Sequence, residues 1–311
     1  MATDFTCSHL VKMNHDKTHI FQQQRRRLMA IAYRLLGSVA DAEDVLQEAW
    51  LRWETQDLAL IESPDAYLTT VVTRLGIDHL RRERHRTRYV GPWLPEPWLM
   101  EPSEDVDGWF DEGPAATHER YQSISMAFLV LLERLNPVER AVYLLKEVFG
   151  HNYEEISAIV DKTIANCRQI DHRARTQLGF DRARYEYNPH KHQQLLSGFI
   201  QAMALGDLAA LQNVLTDDVV LTSDGGGKAL SVLRPLHGSE RIGRFFRALR
   251  RRYLNRHVGM QLGMLNGEPA LLILVDDVVE SVVMFDWRDD RIGAIFILRN
   301  PDKLQRLKSA L

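Results

Sequence analysis

Gly91-Pro92-Trp93-Leu94-Pro95-Glu96-Pro97-Trp98 decides the architecture, because of what lies on either side of it. Before it, an amphipathic helical block ends in a burst of arginines; after it, no Lys or Arg occurs until Arg120, and a helix-turn-helix pattern follows. Residues 89–119 hold five of the eleven prolines, three of the six tryptophans and eight Asp/Glu. A flexible linker would be rich in Gly and Ser. Proline stiffens this one, and three tryptophans are costly to leave in water. The reading is an acidic strap that packs either on its own domains or on a partner, joining two basic helical modules.

At 311 residues the chain is long enough for two or three domains, and 45% apolar residues suffice for their cores. The net charge of −3 hides separate basic and acidic blocks. Two cysteines, Cys7 and Cys167, make neither a disulfide framework nor a zinc set, which suits a reducing cytoplasm. The twelve histidines are scattered, and neither His15/His19 nor His190/His192 is completed by a metal-ligand pattern. No metal or cofactor is expected. The most apolar run, Ala270 to Phe285, is broken by Asp276, Asp277 and Glu280 and reads as strands around a turn rather than a membrane span. The N-terminus lacks an apolar signal-peptide core. Residues 1–20 are polar and aperiodic and are expected to form a disordered extension.

Residues 21–88 read as helical. Leu28, Ile31, Ala32, Leu35 and Leu36 recur at helical spacing, and Gly37 stops that helix. The next opens on Asp41-Ala42-Glu43-Asp44 and runs to Trp53. Ser63-Pro64 starts a third, ending in the basic stretch Asp78–Arg88. In residues 120–180, Asn136-Pro137-Val138-Glu139 and Asn152-Tyr153-Glu154-Glu155 are cap-and-glutamate helix starts. A short helix (153–160), a turn at Asp161-Lys162 and a basic helix (163–178) make the helix-turn-helix. Residues 190–311 read as α+β with a curved antiparallel sheet. Two helices lead, then a strand at 219–222, the turn Asp224–Lys228, a helix at 239–254 and a meander at 258–298 with turns at Asn266-Gly267 and Asp289-Asp290. Arg241, Arg244, Arg247, Arg250, Arg251, Arg252 and Arg256 crowd that helix. They read first as a solvated face, with the strap or a protein partner as the alternative.

Several of these stretches resemble a known family. Tyr33–Ser38, Asp41–Trp53 and Tyr67–Asp78 resemble region 2 of an extracytoplasmic-function (ECF) RNA polymerase sigma factor, and Leu132–Ala141 with the helix-turn-helix resembles region 4. Trp93-Leu94-Pro95-Glu96-Pro97, Asp224-Gly225-Gly226-Gly227-Lys228 and Asn300-Pro301-Asp302-Lys303-Leu304 resemble the subgroup with a fused C-terminal SnoaL-like domain. The likeness spans residues 21–308. Asp171 departs from it, standing where an apolar residue is usual.

The resemblance implies a multidomain chain: two all-α sigma domains, then an α+β SnoaL-like cone. It implies a transcription initiation factor that is not itself an enzyme, with core RNA polymerase (its β′ clamp helices) and promoter DNA as partners, and an unidentified small ligand in the C-terminal domain as a further one. Asp41, Asp44, Gln47, Glu48, Trp50 and Trp53 are then the polymerase surface. Arg74, Asp78, His79, Arg81 and Arg82 serve the −10 element, with the segment between Trp53 and Ser63 capturing a flipped base. Asn166, Arg168, Gln169, His172, Arg173 and Arg175 serve the −35 element, Arg suiting guanine edges and Asn or Gln suiting adenine. Regulation in cis falls to Trp93, Leu94, Pro95, Glu96 and Pro97 with Asp224, Gly225, Gly226, Gly227, Lys228, Asn300, Pro301, Asp302 and Lys303. Two rivals stand beside this reading: a ligand-sensing DNA-binding regulator, and a SnoaL-like isomerase or hydrolase with a DNA-binding front end. For catalysis only Asp224 and His237 offer an acid/base pair.

Overall fold

Caps divide the helical part into elements where the sequence placed them. The computed structural model describes residues 4–83, 89–99, 125–179, 189–288 and 290–310. The arginines beyond position 83, the strap beyond residue 99 and Asp289 of the expected turn lie outside the described residues. Gly37, at φ 68°, ends α1 (Asp4–Leu36), and Ser38 Oγ accepts from Asp41 N at 3.2 Å to start α2 (Val39–Glu54). Ser63 caps α3 (Pro64–Arg82) with proline at its first turn. After α4 (Met126–Leu132), Asn136 with Glu139 and Asn152 with Glu155 close capping boxes on α5 (Pro137–Tyr143) and α6 (Tyr153–Val160). Asp161 takes the left-handed conformation, φ 53°, and Thr163 Oγ1 caps α7 (Ile164–Leu178).

The disordered extension expected over residues 1–20 is corrected, because α1 runs back to Asp4. Lys17 shows why the polar composition misled. It is buried, its carbonyl accepts from Trp53 Nε1 at 3.0 Å, and its ammonium donates to Glu54 O at 2.8 Å. The end of α2 therefore holds this turn of α1.

The chain divides into two units, residues 1–85 with 132–179, and residues 86–131 with 180–311. In the first, α1–α3 and α5–α7 share one unit, so the modules the strap separates in sequence are not separate in space. Arg140 is buried and donates to Leu35 O and to Glu133 Oε1, both at 2.8 Å. Arg34 is buried too, with its guanidinium 5.6 Å from the Phe149 ring centroid and Nη1 donating to Ala30 O. Both arginines bring the second helical block onto the first.

In the second unit, α8 (Pro189–Leu205) and α9 (Leu208–Val214) precede β1 (Leu215–Asp224), β2 (Leu236–His237), α10 (Ser239–Arg252), β3 (Val258–Leu265), β4 (Glu268–Val275), β5 (Val278–Arg288), β6 (Arg291–Leu298) and α11 (Pro301–Ala310). The sheet order is β2-β1-β6-β5-β4-β3. The expected antiparallel sheet is antiparallel in every pairing but one: β1 pairs with β6 in parallel, so the sheet is mixed. The long excursion from β1 through β2–β5 permits that pairing, and no local pattern announces it. Strand alternation sorts the two faces. Val283, Phe285, Trp287, Ile295 and Ile297 meet the helices α8–α10. Met284, Phe296 and Leu298 meet α11, Met126 of α4 and Leu94 of the strap. Since both faces are covered, these strands read as continuous apolar runs.

Candidate functional site

On α2, Asp44, Gln47 and Glu48 are exposed, and Glu48 pairs with Arg52 at 2.6 Å. Trp50 is half-buried and meets Phe21 of α1 edge to face, with ring centroids 5.1 Å apart. A groove between α1 and α2 is lined by Phe21, Gln22, Arg25, Gln47 and Trp50, among others. Sequence reading missed the α1 wall of this groove, although 18, 21, 22 and 25 already carry helical spacing. Trp53 is fully buried and serves the core of the helical unit rather than its surface.

At the end of α3, Asp78, Arg81 and Arg82 are exposed, and Asp78 accepts from Arg81 at 3.1 Å. His79 is half-buried. Pairing with Asp41 raises its pKa above the usual imidazole value; burial opposes that rise and Glu83 adds to it. Arg74 is engaged elsewhere, its Nε and Nη2 donating to Ile159 O and Ala158 O, each at 2.8 Å. It therefore caps the carbonyl end of α6, the orphan acceptors every helix leaves there.

In the helix-turn-helix, Arg168, Gln169, His172 and Arg173 of α7 are exposed and Asn166 is partly so, while Cys167, Ile170, Ala174 and Leu178 face inward. Asp171, the departure from the family pattern, is buried and answered on one oxygen: Oδ2 accepts from Tyr153 Oη at 2.8 Å and from Arg175 Nε at 3.1 Å, while Oδ1 has no hydrogen-bond partner among the described residues. Burial, then Asp171, raises the Tyr153 phenol's pKa. Arg175 also reaches Glu147 at 2.5 Å. Two carboxylates thus hold Arg175 to the motif, unlike Arg173 on the open face.

The strap meets the C-terminal domain at Asp224, whose side chain is wholly buried. Oδ1 accepts from Tyr89 Oη at 2.5 Å and Gly226 N at 3.0 Å; Oδ2 accepts from Leu94 N at 2.9 Å and Lys303 Nζ at 2.6 Å. Its backbone carbonyl accepts from Arg299 N and Asn300 N. Lys303 donates to Leu94 O as well and sits 4.1 Å over the Trp93 ring. Asn300 Nδ2 donates to Tyr89 Oη at 2.9 Å. Gly226, at φ 59°, is required here, because a Cβ would stand 2.4 Å from Asn300 Nδ2. Pro95 and Pro97 are buried, and Glu96 is buried within 3.7 Å of Arg306. Trp98 and Asn266 bond reciprocally at 2.9 Å. Lys228 pairs with Asp302 at 2.5 Å, and Pro301 opens α11. Gly225 and Gly227 complete the turn beside Gly226.

The structure therefore unites the three separated stretches 93–97, 224–228 and 300–303. Tyr89 belongs with them and was missed, lying just ahead of the tryptophan-proline run. Burial first, then Asp224, holds its phenol well above the ordinary range. His237 does not join them. It is exposed on β2 opposite Val220, four residues along β1 from Asp224, so the suggested acid/base pair is not assembled. Arg241, Arg244, Arg247, Arg251 and Arg252 are exposed on α10. Among the described residues no helix is long and apolar enough to cross a membrane.

A model of sigma-70 region 2 matches residues 20–86, and one of sigma-70 region 4 matches residues 125–178. The chain is 37% identical over 293 residues to ECF RNA polymerase sigma factor SigJ of Mycobacterium tuberculosis (strain ATCC 25618 / H37Rv), covering 91% of each chain. It is 27% identical over 298 residues to the probable ECF RNA polymerase sigma factor SigI of Mycobacterium tuberculosis (strain CDC 1551 / Oshkosh), covering 94% of this chain and 96% of that one. Its structure resembles the crystal structure of the M. tuberculosis extracytoplasmic function sigma factor SigJ with a TM-score of 0.73 at 32% identity, covering 93% of this chain and 98% of the other.

Proposed function

The chain belongs to the ECF family of RNA polymerase sigma factors, and from that premise we propose a division of labour among its surfaces. The α1–α2 groove, with Asp44, Gln47, Glu48 and Trp50, engages core polymerase in the cytoplasm. The exposed end of α3, Asp78, Arg81 and Arg82, with the segment before Ser63, engages the −10 strand. In the major groove, Arg168, Gln169, His172 and Arg173 of α7 read the −35 duplex while Asn166 lies at the helix start. The observation that carries this reading is the exposed basic and amide row of α7, capped by Thr163 and backed by a buried core. The chain supplies promoter specificity and performs no catalysis itself. Transcription by core enzyme on a promoter library tests it: the chain directs initiation at a defined set of promoters, and output no higher than core alone sinks the reading.

The Asp224 centre supports a second role, regulation in cis by the SnoaL-like domain. By holding Tyr89 and residues 93–97, that domain fixes the part of the strap that follows the −10-reading block in sequence. Charge reversal at Glu96 or truncation of Asp224 then alters promoter output at fixed core concentration. Unchanged output in both variants refutes the regulatory role while leaving the sigma activity standing.

A further inference from the structure

Asp41 and His79, which the resemblance assigns to different surfaces, converge with a third side chain, Glu83, within the helical unit. His79 Nε2, near the end of α3, lies 3.6 Å from Asp41 Oδ1 in the first turn of α2 and 3.9 Å from Glu83 Oε1 at the end of α3. All three potential ligand atoms lie within 4.8 Å of one another. The Nε2 atom is shielded from solvent and has no hydrogen-bond partner among the described residues.

These distances fit poorly with a hydrogen-bonded ion pair, which brings nitrogen and oxygen to about 2.7–3.2 Å. They are closer to the spacing of ligands gathered loosely around a common site. Bonds of about 2.0–2.2 Å from a tetrahedral centre leave neighbouring ligand atoms about 3.3–3.6 Å apart, so Asp41 stands at the edge of that range while Glu83, at 3.9 Å, must close in by a small side-chain shift when an ion binds. The backbone is suited to hold them. His79 and Glu83 stand four residues apart, on one face of α3, and Glu83 N donates to His79 O. Asp41 N is fixed by Ser38 Oγ in the cap of α2. One imidazole with two carboxylates selects a first-row transition ion over magnesium or calcium, which prefer all-oxygen shells.

We propose that Asp41, His79 and Glu83 form a binding site for a divalent transition-metal ion of the zinc type, with water completing the shell. The ion ties the start of α2 to the end of α3 and so joins the surfaces proposed for polymerase and for the −10 strand. Metal binding itself is the readout, so the test does not depend on those assignments.

Chelator-treated full-length protein is titrated with Zn2+ by calorimetry and with Co2+ by visible absorption. The parent binds one equivalent at micromolar concentration or tighter, Co2+ gives ligand-field bands, and Zn2+ raises the thermal midpoint. His79→Ala removes a direct ligand and lowers affinity at least about 100-fold, the upper end of what losing a mere supporting residue costs. Glu83→Gln, at a partly exposed position that leaves the helix intact, lowers it at least about tenfold. His257→Ala, an exposed histidine 3.6 Å from Asp277, is the control and leaves affinity unchanged. A parent that binds no equivalent at micromolar Zn2+ overturns the proposal. So does affinity kept within threefold in either His79→Ala or Glu83→Gln, which means adventitious binding by surface histidines and a plain ion pair at His79.

Discussion

Replacing Asp224 by Asn keeps the shape of the side chain and removes what the strap contact depends on. In the parent both carboxylate oxygens accept two donors, Tyr89 Oη and Gly226 N on one, Leu94 N and Lys303 Nζ on the other. An amide must turn its NH2 toward one of those pairs. Facing Leu94 and Lys303, it opposes two donors. Facing Tyr89 and Gly226, it spares the phenol, which can reverse its hydroxyl, but strands the Gly226 N–H. In either orientation Lys303, only 12% exposed, loses its counter-charge. Breaking a buried pair from one side costs about 3–5 kcal/mol. For a unit of this size that lowers the melting midpoint by about 6–20 °C. Calorimetry of the full chain reads it: the transition of the C-terminal unit shifts and that of the helical unit does not. Adding Lys303→Met to Asp224→Asn recovers at least about 1 kcal/mol relative to the sum of the single changes, because no uncompensated charge remains. A single-variant loss below about 1 kcal/mol, or additivity within about 0.5 kcal/mol, refutes the claim that this buried pair anchors the strap.

Three further outcomes are expected. Burial and Asp224 raise the folded-state pKa of Tyr89 above the ordinary phenol value of 10.0, so its contribution is complete below that pH and is lost as pH rises above it; Tyr89→Phe removes that alkaline loss, and an identical pH profile for the C-terminal transition in parent and variant counts against it. Gln47→Ala with Trp50→Ala weakens core-polymerase binding in a pull-down at unchanged helical content, whereas Trp53→Ala costs about 3–5 kcal/mol of stability because that side chain is wholly buried; a stable Trp53→Ala protein with lost polymerase binding would reverse the two roles. Gln169→Ala relaxes discrimination at one −35 base pair by about 1–3 kcal/mol in competitive footprinting, whereas Arg175→Ala, at a side chain held by Asp171 and Glu147, acts mainly on stability; the opposite pattern places Arg175 on the bases instead.

Local chemistry made most of this legible. Ser63, Asn136 and Asn152 each announce a helix start through a side-chain oxygen that satisfies orphan N–H groups, Ser38 and Thr163 do the same although the sequence reading opens those helices at Asp41 and Thr163, and Asn266-Gly267 announces its hairpin because both residues adopt positive φ. The exposed positions on α2 and α3 come from the resemblance, which also puts the buried Trp53 on the surface, whereas those on α7 follow from the helix-turn-helix pattern. What escaped were facts of pairing at a distance. Periodicity does not say that β6 lies beside β1 in parallel, that Arg74 caps α6 85 residues later, or that Tyr89 and Asn300 meet across 211 residues. Asp171 looked like a defect because its partner, Tyr153, sits on the preceding helix. The strap shows the same limit from the other side. Its tryptophans and prolines said that it must pack, and its eight carboxylates made it an acidic strap. Yet the first contact it makes is the reverse of that picture: the buried carboxylate belongs to the domain, and the strap brings a phenol and a backbone N–H to it. The buried Glu96 beside Arg306 is a point where the strap does bring the carboxylate, which makes the isosteric Glu96→Gln the variant that separates a charge-matched strap from one held by shape alone. If shape alone holds it, the variant melts with the parent. If charge matters, the C-terminal transition falls, and Asp224→Asn and Glu96→Gln combine to less than their sum, because both loosen the same strap from the same helix, α11.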